Sequence, residues 1–179
     1  MQMVLLVLLC VVCVACNKRD VRLRTGAITD RKKMPVLHAT GVNTLISDSG
    51  LVRYRIKTAD WKVFDRADTP YWEFSKGVYL EKFNLDLEAE AFVEADYAHY
   101  NEPSKRWMLR GNVKALNLEG EMFETPLLYW DQEKELVYSD TTIVITRESS
   151  VISGKGFKSN PNMTKYEIMH PTGYIPIEE

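Results

Sequence analysis

Cys16 is the one side chain in this sequence whose setting points to covalent chemistry. It follows Ala15 and closes an uncharged apolar run that begins at Met3. A small residue directly before a cysteine is what a bacterial lipoprotein signal peptidase requires, once the thiol has received a diacylglyceryl group. At about fourteen residues the run is shorter than the roughly twenty that a bilayer-spanning helix needs, and it matches the apolar segment of an export signal. The expectation is a signal peptide over residues 1–15 and a mature chain that starts at lipidated Cys16. An uncleaved single-pass N-terminal helix is the alternative, and Lys18 and Arg19 after the run do not decide between the two. Both attach the globular part to a membrane. The several chains of a lipoprotein cysteine would hold firmly where a single acyl chain holds only marginally.

The remaining candidates for chemistry fall away. All three cysteines lie in the first sixteen residues, so the mature body has neither a structural disulfide nor a catalytic thiol. His38, His99 and His170 are dozens of residues apart, without the H-E-x-x-H spacing or cysteine partners of a zinc site. No nucleophile elbow or phosphate-cradling glycine loop is present, so neither catalysis nor a cofactor is expected. A formal net charge of -2 excludes the basic stripe of a nucleic-acid binder. The short cluster Arg31-Lys-Lys33 reads as a solvated linker.

What the body does show is period two. From Phe83 to Tyr97 an apolar or aromatic residue occupies each odd position and mostly acids the even ones, with a turn or bulge expected near Asp86 to Glu90. The alternation returns in Trp107, Leu109, Gly111, Val113 and Ala115, and in Val137, Ser139, Thr141, Ile143 and Ile145. A sheet with one dry and one wet face is usually antiparallel. Turn signals such as Asp48-Ser-Gly50, Asn117-Leu-Glu-Gly120 and Asp131-Gln-Glu-Lys134 punctuate the chain at short intervals, as in all-β proteins. A loose repeat of about thirty residues joins an aromatic strand, a polar turn and an alternating strand. Its copies begin at Ala59, Ala95 and Pro126. Stacked hairpins of this kind predict an antiparallel β-jelly roll, a sheet folded over on itself with two open edges.

Seven segments in order then resemble a known family. They are Asp48-Ser-Gly-Leu-Val-Arg-Tyr-Arg-Ile-Lys57, Phe74-Ser-Lys-Gly-Val-Tyr-Leu-Glu-Lys-Phe83, Ala95-Asp-Tyr-Ala-His-Tyr100, Trp107 to Val113, Leu128-Tyr-Trp-Asp131, Val137-Tyr-Ser-Asp140 and Ile152-Ser-Gly-Lys-Gly-Phe157. Across residues 40–170 the chain is similar to the LptC family of lipopolysaccharide-transport proteins. The resemblance implies a β-jelly roll at the periplasmic face of the inner membrane. Such a protein takes lipopolysaccharide from an ABC transporter complex and passes it to a periplasmic bridge protein of similar fold. The best-known members use an uncleaved transmembrane helix, whereas this chain carries Cys16. By the same resemblance, residues 35–56 face the extractor and the last strands meet the bridge.

A lipid with several acyl chains needs a continuous apolar surface, and the dry faces of the hairpins supply one. Phe74, Val78, Leu80, Phe83, Val93, Trp107, Leu109, Val113, Phe123, Ile143 and Ile145 are the expected lining. Gly154, Gly156 and Phe157 are the expected partner edge, since glycines in an edge strand permit close backbone approach. There, a bulky side chain would block docking without unfolding the domain. The chain thus divides into residues 1–15 as signal, 16–40 as lipidated linker, 41–170 as the jelly roll and 171–179 as a tail. The competing reading is an envelope scaffold or glycan-binding lipoprotein, in which Trp61, Tyr71, Trp72, Trp107 and Trp130 form an exposed sugar platform.

Overall fold

Alternation of buried and exposed side chains runs along the strands of the computed structural model, which describes residues 30–148 and 150–176. In the strand Leu136–Arg147, Val137, Ser139, Ile143 and Ile145 point inward while Asp140 and Thr142 face solvent. Eleven strands form one antiparallel sheet, and no α-helix occurs among the described residues. After a 3-10 turn at Arg31–Lys33 come β1 (Leu37–Asp48), β2 (Leu51–Phe64), β3 (Tyr71–Phe74), β4 (Val78–Phe83), β5 (Ala89–Ala95) and β6 (Tyr97–Asn101). They are followed by β7 (Arg106–Leu116), β8 (Met122–Asp131), β9 (Leu136–Arg147), β10 (Ser150–Ser159) and β11 (Tyr166–Pro176). The all-β, jelly-roll-like architecture expected from the periodicity is what the chain adopts.

The short strands are halves of long ones. β2 pairs with β4 through Tyr54–Lys57 and with β3 through Lys62–Phe64. β7 likewise pairs with β6 through Arg106–Arg110 and with β5 through Lys114–Leu116. The breaks continue into the later strands as register shifts between Arg110 and Val113, Glu124 and Tyr129, and Lys155 and Phe157. Pro126, which has no N–H to give a ladder, falls inside one of them. At Gly77 the backbone turns left-handed (φ 81°), and an added Cβ would lie 3.1 Å from the Ala95 carbonyl oxygen. Gly111 is similar (φ 78°), with Asp96 Oδ2 2.8 Å from where a Cβ would sit. Asn112 follows at φ 43°, and its Nδ2 donates to the same carboxylate at 2.7 Å.

Along this line of breaks the sheet folds over and packs one half on the other. Phe123, beyond the break in β8, has its ring 5.7 Å from Phe157 and 5.3 Å from Tyr166, which lie on the other side in β10 and β11. Asn117 Nδ2 donates across the fold to the Met163 carbonyl at 3.0 Å. Between the halves sits one core, in which Phe74, Phe123, Phe157, Ile143, Ile145 and Val113 are fully buried.

Two turns at one end of the sheet share a device. In Asn84-Leu-Asp-Leu-Glu88 the Asn84 Oδ1 accepts from the amides of Asp86 and Glu88, both at 2.9 Å. In Asn117-Leu-Glu-Gly-Glu121 the Asn117 Oδ1 accepts from Glu119 and Glu121 at the same 2.9 Å. An asparagine side chain that replaces a backbone acceptor in this way fixes a tight loop without further packing. The turn expected near Asp86 is thus present and is set by Asn84.

The sheet's edges are β1, which pairs only with β2, and β11, which pairs only with β10. β1 fully buries none of its described side chains, and a polar anchor adds to the ladder that attaches it. Asp60, 3% exposed, meets His38 Nε2 of β1 at 2.6 Å and Lys62 Nζ at 3.0 Å, and accepts from Ser75 Oγ at 2.5 Å. The Ser75 hydrogen bond, with those of His38 and Lys62, holds the carboxyl far below the usual range of an aspartate. A depressed folded-state pKa contributes stability that is complete above the unfolded-state pKa of about 4 and is lost as pH falls below it. Asp60→Asn should therefore lower the urea midpoint at pH 7, with the deficit against wild type shrinking toward pH 3. An equal deficit at both pH values would mean that the charge is not what matters.

Candidate functional site

The dry faces of the two halves meet around an apolar cleft of about 200 Å³. Leu80 on β4 and Val93 on β5 form one wall, adjacent in register. Leu109 on β7 with Leu128 and Trp130 on β8 forms another, and Met163, in the turn before β11, completes it. Tyr54, Leu116 and Leu118 reach it from the end of the sheet that carries the asparagine turns. Leu118 is 43% exposed there. Lys82 in the lining is paired with Glu90 at 3.2 Å, and Arg106 with Asp131 at 3.0 Å on the strands that carry Leu109 and Trp130. Burial pushes the Asp131 carboxyl up, but the Lys134 amide and the Arg106 guanidinium outweigh it and hold it low.

Of the expected lining, Leu80, Val93 and Leu109 reach this cleft. Phe74, Val78, Val113, Phe123, Ile143 and Ile145 are buried in the core behind it. Phe83 is buried outside that cluster, under the Arg55 guanidinium at 5.0 Å. Trp107 lies on the cross-strand row that joins Trp72, Tyr100, Trp107 and Trp130. Leu128 and Val137 also line the cleft and could have been found from the same alternation. Met163 could not, because it comes from a turn that folds back.

Two expectations are corrected by the packing. The tryptophans do not form an exposed platform: Trp61, Trp72, Trp107 and Trp130 are half-buried and packed against the core. Gly154, Gly156 and Phe157 do not lie on an edge strand, because β11 covers β10. A Cβ on Gly154 would meet Ile168 Cγ2 at 2.3 Å and the His170 carbonyl oxygen at 2.7 Å, so the close approach it permits is within the chain. Phe157 is 1% exposed.

A larger and more open depression of about 640 Å³ lies on the wet face beside the line of breaks. Lys57, Lys76 and Lys114 alternate there with Glu94 and Asp96, a surface suited to water rather than to hydrocarbon. Among the described residues no three His, Cys, Asp or Glu side chains gather as metal ligands, and no helix is long and apolar enough to cross a membrane. Cys16 and the run before it lie outside the described residues.

No curated protein matches the chain. A family model for lipopolysaccharide-assembly, LptC-related proteins matches residues 3–171, which takes in the whole folded sheet up to Pro171. With a folded-over antiparallel sheet, an apolar cleft between its halves and a family match over nearly its full length, the chain belongs to the LptC-related family, whose role is lipopolysaccharide transport in the cell envelope.

Proposed function

We propose that this protein carries lipopolysaccharide by its acyl chains, which enter between the two half-sheets through the cleft walled by Leu80, Val93 and Leu109. The observation that carries the reading is an apolar opening, lined by Leu80, Val93, Leu109, Leu128 and the exposed Leu118, that borders the core. As the halves separate, Phe74, Val78, Phe83, Trp107, Val113, Phe123, Ile143 and Ile145 become the walls along which the chains lie. Each buried methylene contributes about 0.8 kcal/mol, so several acyl chains offset the side-chain packing that opening disrupts. No bond is made or broken in the protein, and the work of extraction belongs to an inner-membrane ABC transporter.

The relay requires a surface on each side. The unpaired edges β1 and β11 offer backbone groups to a strand of another chain. In this reading β1 faces the transporter and β11 takes the periplasmic bridge protein of similar fold. Lipidated Cys16 tethers the domain to the periplasmic face of the inner membrane.

Leu80 and Val93 are only half-buried, so a charge at either can be hydrated at the mouth without being forced into the core. Full-length protein carrying Leu80→Arg or Val93→Asp should keep its β circular dichroism and lose co-purified lipid A in native mass spectrometry. Wild-type protein that remains lipid-free after incubation with lipopolysaccharide would sink the carrier reading.

A further inference from the structure

Lys82 is the one charged side chain among the described residues that line the apolar cleft, and no carboxylate accompanies it there. Positions 78, 80 and 82 share a face of β4. Along that face Val78 is buried, Leu80 is half-buried in the cleft wall, and Lys82 follows toward the Asn84 turn with its side chain 33% exposed. Its neighbours in register are Tyr54 on β2 and Ala91 on β5, both in the lining and neither charged. An inward-facing lysine on an edge strand would guard against unwanted pairing, but β4 has β2 and β5 on either side. Its ion pair with Glu90, at 3.2 Å with both groups about a third exposed, is of a kind that contributes little to stability. Neither role accounts for a cation where the alternation calls for an apolar residue.

A hydrocarbon-lined opening with a single uncompensated sign of charge fits an amphiphile that carries the opposite sign close to its chain. Resting on the carrier reading, we infer that Lys82 Nζ binds an anionic group, a phosphate, on the headgroup next to an acyl chain seated in the cleft. The chain displaces water from the lining, and in that drier setting the attraction between ammonium and phosphate strengthens. The methylene stem of the lysine meanwhile packs on the chain. Glu90, which is not in the lining, holds Lys82 in the empty protein and gives way to the phosphate. Lys82 thus selects anionic lipids over neutral lipids of the same chain. The larger depression on the wet face lacks this bias, because Glu94 and Asp96 stand among its lysines.

Full-length protein in maltoside detergent is titrated with two probes that share one acyl chain, 1-myristoyl-glycerol 3-phosphate and 1-myristoyl-glycerol, and the bound probe is read by native mass spectrometry. Wild type is expected to bind the phosphate probe roughly tenfold more tightly, as a hydrogen bond between charged groups allows. Lys82→Ala should bind both probes with the affinity that wild type has for the neutral one, which shows at the same time that the cleft is intact. Glu90→Gln removes the competing carboxylate and leaves Lys82 in place. It should bind the phosphate probe about two- to threefold more tightly than wild type does, with the neutral probe unaffected. Inorganic phosphate in large excess should displace neither probe. The wild-type preference and Glu90→Gln need no change at Lys82, so they decide the matter even where Lys82→Ala does not fold. Equal wild-type affinity for the two probes, a preference that survives Lys82→Ala, no gain in Glu90→Gln, or displacement by inorganic phosphate overturns the inference and leaves the carrier reading standing. Binding of neither probe overturns both.

Discussion

Replacing Phe123 with alanine is expected to lower the unfolding free energy by about 3–5 kcal/mol, a large part of the roughly 5–15 kcal/mol by which a domain is ordinarily stable. The ring is 1% exposed and stands between Ala115 on β7 and Ile145 on β9 in the strand register. It also meets Phe157 and the edge of Tyr166 from the opposite half of the sheet. Alanine therefore removes transfer free energy and leaves a cavity where the two halves join. Phe83→Ala is the comparison, since Phe83 is buried but outside the central cluster. Urea unfolding followed by tryptophan fluorescence measures both. A loss below about 1 kcal/mol for Phe123→Ala would mean that the halves are not packed against each other through this ring.

The second large effect is expected at Gly154. Its backbone is not in the left-handed region, so what excludes a side chain is space. Valine there would press on Ile168, the His170 carbonyl and the Pro171 Cα, which lie 2.3, 2.7 and 3.0 Å from the first carbon alone. Two of those three neighbours are backbone atoms and cannot swing aside. We expect Gly154→Val to cost at least the upper part of the roughly 1–3 kcal/mol typical of overpacking. Amide exchange across residues 166–173 should rise as β11 detaches from β10. Gly156→Ala is the milder change: a left-handed φ of 78° and an approach of 3.1 Å to the Met169 side chain predict about 1–2 kcal/mol. Undiminished protection of β11 in Gly154→Val would show that the glycine is not needed for strand packing. Both changes act inside the chain, because β10 has a neighbour on each side.

Much of the fold was legible because alternation is a local property. Whether Leu109, Val113 and Ala115 share a face depends only on their spacing in one strand, and all three are buried. The three repeat copies are the hairpins β2–β3, β6–β7 and β8–β9 at one end of the sheet. The asparagine turns at Asn84 and Asn117 differ in how plainly they show: Asn117 stands out beside a glycine, whereas Asn84 is hidden inside the alternating run. The prolines at Pro171 and Pro176 argue locally against a strand, yet β11 runs through both. Pro171 is accommodated where the β10–β11 register shifts after Ser153.

By itself, then, the sequence determined the class of structure, the face that the alternating strands turn inward and the family. Each follows from residues close together along the chain or from their order. Which strand is an edge depended on the neighbour that arrives last, and only the assembled sheet shows β11 covering β10 and its two glycines. The cleft was beyond reach for the same reason. Its walls come from β4, β5, β7, β8 and a turn that folds back across the line of breaks, and no periodicity along one strand records which side chains meet when a sheet closes on itself.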